Sequence, residues 1–125
     1  ANMKMTFLIG PDSTHQLFPR INVLNETMRN ESIEEYIKGN RKNLENDVAF
    51  TVTFNEEGII NTAERNIYWY SYTKDYNNIK REMMFYSIPV NGISYCFTAG
   101  VGIGGMQYYR SQFDTIVKSF KFVQQ

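Results

Sequence analysis

The chain has 125 residues, 42% of them hydrophobic and 15% aromatic. That is enough for one domain, residues 1–125, with a proper core, and too apolar for a disordered segment. Thirteen basic residues balance thirteen acidic ones, so no net field selects nucleic acid or an anionic membrane surface.

The first segment, Met3 to Ile9, is strand-like and stops at Gly10-Pro11-Asp12-Ser13. His15 follows in a polar loop. It is the only histidine, so the chain has no His–His or Cys–His pair at metal-ligand spacing, and no metal site is expected. Arg20 to Asn25 reads as a second short strand. The triplets starting at Asn25 and Asn30 match the glycosylation sequon, which an asparagine-rich chain produces by chance.

A helix is predicted from Ser32 to Asp47. Ser32 and Glu35 have capping-box spacing, and Ile33, Tyr36, Ile37, Leu44 and Val48 form an apolar stripe. From Ala49 the period changes to two, with Phe50, Val52 and Phe54 on one face. Asn55-Glu56-Glu57-Gly58 is expected to break that strand, which makes the two glutamates a solvated turn rather than a carboxylate pair.

Arg65 to Thr73 is strongly β-prone. Within it Tyr68, Tyr70 and Tyr72 project to one face and Trp69 and Ser71 to the other. One face should be core. The other is a partly exposed aromatic surface of the kind that takes a partner or a ligand, and the three tyrosines are the candidate residues. The sequence does not say which face is inside. The polar run Lys74 to Asn78 turns the chain into a long strand, Ile79 to Val90.

Asn91-Gly92 is a two-residue hairpin signal, because a type I′ turn needs positive φ twice. It sets Val90 opposite Ile93, Ile88 opposite Tyr95, Tyr86 opposite Phe97 and Met84 opposite Ala99. One face of the returning strand then carries Ile93, Tyr95, Phe97, Ala99, Val101 and Ile103. The other carries Ser94, Cys96, Thr98, Gly100, Gly102 and Gly104. Gly100, Gly102 and Gly105 spell a dinucleotide-type G-x-G-x-x-G, yet the glycines continue a period of two. No acidic residue or second parallel strand follows at the required distance. The segment is therefore a strand with one bare face, over which Met83 and Phe85 could lie, and no nucleotide cofactor is expected. Cys96 is the only cysteine, which excludes an intramolecular disulfide, and it sits mid-strand as a quiet small residue. A last helix is predicted from Met106 to Phe120, with Tyr109, Phe113, Ile116, Val117 and Phe120 on its apolar face.

No run approaches the ~20 apolar residues that span a bilayer, and no signal peptide is evident. The opening Ala-Asn-Met-Lys-Met suits a processed or trimmed chain, so the missing signal does not argue for the cytoplasm.

Three stretches carry a resemblance: Ser32 to Ile37 (SIEEYI), Ile88 to Gly100 (IPVNGISYCFTAG) and Tyr108 to Phe122 (YYRSQFDTIVKSFKF). With the order of elements they resemble the PsbP-like family, which takes in PsbP, Mog-type Ran-release factors and DcrB-like bacterial lipoproteins. The resemblance implies an α+β fold: an antiparallel sheet of about five or six strands flanked by helices in an α-β-α sandwich. It implies a non-enzymatic accessory or protein-interaction domain of an extracytoplasmic bacterial protein, without catalytic residues and with a lipid anchor upstream. The family's N-terminal Pro-Glu-Gly-Trp hairpin has no match here. A small-ligand carrier with an aromatic pocket between sheet and helix is the alternative.

Overall fold

The computed structural model describes residues 4–8 and 19–121. His15 and the Gly10–Ser13 stop lie outside the described residues. The elements in chain order are β1 (Lys4–Leu8), β2 (Arg20–Thr27), α1 (Ile33–Asn46), β3 (Thr51–Asn61), β4 (Asn66–Tyr76), β5 (Ile79–Val90), β6 (Ile93–Gly102) and α2 (Met106–Lys118). The six strands form one antiparallel sheet in the order β1-β2-β6-β5-β4-β3. The chain thus meanders from β3 to β6, while α1 carries it from β2, next to β6, to the far edge at β3.

The two helices cover opposite faces. On the α2 face Phe113 and Val117 are fully buried against Ile21, Ile67, Met84, Tyr86, Ile88, Phe97 and Val101. Phe120, just past the helix, packs its ring edge-on to Phe97 at 5.0 Å. On the α1 face Tyr36 joins Met28, Tyr70, Tyr72, Phe85 and Cys96. The alternation expected of β6 holds through Val101, but Ile103 lies past the strand end and is 55% exposed. Val48 likewise leaves the predicted stripe. Helix α1 ends at Asn46, the chain turns extended at Asp47, and Val48 stands fully in solvent.

Hairpin registers follow the turn chemistry. Asn91 and Gly92 have φ of 51° and 78°, and the pairs from Val90↔Ile93 to Met84↔Ala99 are those a two-residue turn dictates. The β4–β5 turn is tighter than the polar run suggested. Strand β4 runs on to Tyr76, and Asn77 and Asn78, at φ 50° and 65°, make the whole connection.

Asn55–Gly58 does not break the strand. Strand β3 continues to Asn61 through a register shift between Phe54 and Glu57. A bulge adds a residue without ending the pairing. It also turns the two glutamates to opposite faces, where Glu57 meets Arg41 of α1 at 2.9 Å and Glu56 faces Arg110 of α2 at 4.0 Å. Behind the bulge Gly58 lies under Trp69, where a Cβ would come within 2.8 Å of the indole.

The glycine-rich stretch has a structural explanation. Gly100 and Gly102 are strand residues; a Cβ at Gly100 would lie 2.8 Å from the Met83 sulfur, which fills that space. The exposed amides at the start of α2 are already matched by an anion of the chain itself. One carboxylate oxygen of Glu82 accepts from Gly104 N at 2.7 Å and Met106 N at 3.2 Å. A negative group at this end of a helix satisfies orphan donors and complements the dipole. Glu82→Ala is therefore expected to lower stability by about 0.5–2 kcal/mol, as for a lost N-cap, measured by denaturant unfolding. An unchanged midpoint would refute the capping role.

Candidate functional site

The aromatic run on β4 splits between core and surface. Tyr70 and Tyr72 are 1% and 4% exposed. Tyr70 stacks on Phe85 at 5.0 Å and meets Phe54 edge-on at 5.7 Å. Burial raises both phenol pKa values, Tyr72 to about 12 and Tyr70 further, with Tyr72 adding to the second shift. These two rings are core beneath α1. Tyr68, on the same face, is half-buried at the open side. The register that pairs it with Ile59 of β3 brings both to a groove beside α1.

The groove has a volume of about 670 Å³. Its apolar part comes from Ile37, Ile59, Tyr68 and Trp69, and its rim from charged residues of α1 and Glu57. Arg41 bridges the two sides. Its guanidinium lies 4.5 Å from the Phe54 ring centre and 5.7 Å from that of Tyr70 while it pairs with Glu57. The exposed ion pair is worth little by itself. Its effect is to hold α1 against β3 by one flat cation on aromatic faces. The aromatic run pointed to Tyr68 and missed Arg41 and Ile59. Arg41 stands four residues after Ile37, so the helix period could have placed it beside the sheet. Ile59 was hidden by the expected strand break. Trp69 faces chiefly the α2 side, where Arg110 sits 4.5 Å over its ring.

Helix α1 is pinned further along by a polar chain. Tyr36, the only buried residue of α1, donates from its hydroxyl to Glu26 and lies 3.0 Å from Cys96 Sγ. Cys96 also meets Ser94 Oγ at 3.1 Å, and Ser94 pairs with Ser87. Burial pushes the Cys96 thiol pKa up, against smaller opposing pulls from Ser94 and Tyr36. A buried protonated thiol is a poor nucleophile. Iodoacetamide is expected to alkylate Cys96 at least ~100-fold more slowly in native buffer than in denaturant, because reaction requires opening. Comparable rates by mass spectrometry would show an accessible thiolate instead. Among the described residues no three His, Cys, Asp or Glu side chains come together as a metal set.

No protein-family model and no curated protein matches the sequence. Solved structures match the fold. PA94 of Pseudomonas aeruginosa, a protein of unknown function, aligns over 100% of this chain and 85% of its own, with TM-score 0.76 and 8% identity. Cyanobacterial PsbP from Synechocystis aligns over 96% and 82%, with TM-score 0.67 and 10% identity. LpqN of Mycobacterium tuberculosis, described as involved in cell envelope biogenesis, aligns over 94% and 83%, with TM-score 0.55 and 10% identity. The fold is PsbP-like, an antiparallel sheet between two helices.

Proposed function

We propose that the chain is a non-enzymatic accessory domain that binds a partner protein outside the cytoplasm, using the Tyr68 groove to hold an extended segment of that partner. The observation that carries the reading is the groove's position along an open sheet edge. Among the described residues strand β3 is the last strand of the sheet, and Ile59, 52% exposed, stands beside the groove. An extended segment would pair with the outward-facing backbone of the 58–61 stretch and set alternate side chains against Ile59 and Tyr68. Acidic and basic residues both line the rim, which suits a peptide better than a highly charged polymer. The extracytoplasmic location is supported by the resemblance and by the cell-envelope role stated for LpqN. No helix of the described residues is long and apolar enough to cross a membrane. A lipid anchor upstream is the tether that the resemblance implies.

The test is a photo-crosslinking residue at position 59, compared with one at Tyr108, which is 68% exposed on the other side. One discrete protein adduct from position 59, absent from 108 and lost in Tyr68→Ala, supports the reading. Identical adducts from both sites, or none from either, would sink it. A groove of this volume is also within the range of small-ligand pockets. For a carrier, position 59 would give a small-molecule adduct in place of a protein one.

A further inference from the structure

The geometry points to a second binding site on the α1 face, away from the Tyr68 groove: a pocket for a small organic anion with a single carboxylate or phosphate head on an apolar body. It does not rest on the peptide reading of the groove.

The site follows from strand register. Arg20 of β2 lies opposite Gly100 of β6. Gly102, two residues on, lies opposite Arg81 of β5, and Arg81 lies opposite Lys74 of β4. Alternation puts all of these on one face, with glycines between the two arginines. Two bare positions on the central strand thus let cations from both flanks reach over the same ground. The result is a cavity of about 520 Å³ lined by Arg20, Lys74 and Arg81, with no Asp or Glu among its described lining residues. In a chain with balanced charge this is a marked local excess. Burial, and then the charge of Arg20, pull the Arg81 pKa down. Like charges held close together disfavour the protonated form.

Apart from the neutral polar side chains of Asn22 and Thr98, the rest of the lining is largely apolar. Met83 lies across Gly100 as the floor. The Lys74 ammonium sits 4.4 Å over the Phe50 ring, which fixes one wall. At the mouth Tyr76 and Ile79 are 49% and 65% exposed. Paired arginines suit the two oxygens of a carboxylate or phosphate. The exposed Tyr76 and Ile79 and the half-buried Phe50 suit the body behind that head. A bare inorganic ion would leave this half of the pocket unused.

The experiment titrates the folded chain with three probes, read by backbone-amide NMR shifts. These are 4-phenylbutyrate, the uncharged 4-phenylbutanol, and inorganic phosphate. The expected result is saturable binding of 4-phenylbutyrate with the largest shifts at Lys74, Arg81, Gly100 and Gly102. The alcohol and the bare ion should each bind about ten-fold more weakly or worse, since each keeps half of the interactions. Arg20→Gln changes an exposed side chain. Combined with Lys74→Gln, it should weaken 4-phenylbutyrate by about ten-fold or more while the rest of the amide spectrum stays native. Arg81→Gln should do at least as much if it folds; the double variant decides the matter if it does not. Lys42→Gln, in the Tyr68 groove, should change nothing. Three results would each overturn the proposal: an unchanged Kd in the double variant, alcohol or phosphate binding as tight as the carboxylate, or shifts confined to the Tyr68 groove. None of them bears on the crosslinking from position 59.

Discussion

Phe113→Ala is expected to lower the free energy of unfolding by about 3–5 kcal/mol, the usual cost of truncating a fully buried aromatic. Phe113 is 0% exposed at the centre of α2 and belongs to the largest apolar cluster. Its neighbours come from β2, β4, β5 and β6, the four central strands. The space it leaves cannot close by a shift of one element, so a cavity term adds to the lost transfer energy. Total stabilities are of order 5–15 kcal/mol. The variant should thus sit near the edge of folding, with a much lower urea midpoint and an unchanged slope. A midpoint equal to the parent's would mean that α2 does not pack as described.

Alkali is expected to unfold the protein cooperatively about one to two pH units above the tyrosine model value of about 10. Burial raises the phenol pKa of Tyr36, Tyr70, Tyr72 and Tyr86. Cys96 and Glu26 add to the shift at Tyr36, Tyr72 at Tyr70, and Asp114 at Tyr86. In the unfolded chain all four ionise near pH 10. Their raised values therefore leave stability intact below that pH and remove it above, since only the unfolded state sheds the protons. Each raised phenol withdraws up to about 1.4 kcal/mol per pH unit, and the four together about 5. Tyrosinate absorbance should show a distinct second stage, in which the buried rings ionise with loss of near-ultraviolet dichroism. Tyr70→Phe should move the second stage to higher pH. A single stage near pH 10 with the dichroism retained would contradict the burial of these rings.

The helices, the Asn91-Gly92 register and the two faces of β6 were legible in the sequence because each depends on local chemistry. A capping box, a positive-φ pair and an unbroken alternation each act within a few residues. The bulge at Glu56-Glu57 was not legible. Whether an extra residue ends a strand or is absorbed depends on the partner strand, here Ser71 of β4, whose hydroxyl accepts from Glu56 N at 3.1 Å. The inner side of the tyrosine run was equally hidden. Tyr70 and Tyr72 became core because α1 crosses their face and brings Tyr36 down beside them, and a path across the sheet leaves no mark in the residues it covers. The cationic pocket was hidden for the same reason. Lys74 and Arg81 share one hairpin, but Arg20 is more than fifty residues from either and joins them only through the register of β2 on β6.

The path from β2 to β3 also sets an order of assembly. Strands β3 to β6 pair with their sequence neighbours, so each hairpin closes a short loop. Strand β2 must wait. Its Ile21 pairs with Ala99, about 80 residues later, and that contact becomes affordable only once β6 exists as a template. The nucleus should therefore lie in the meander, with β2 and α1 docking after the barrier. Ile88→Val, within the meander, should slow refolding. Val23→Ala, on β2, should leave refolding nearly unchanged and speed unfolding. The reverse partition in a chevron plot would place the late-closing edge in the nucleus instead.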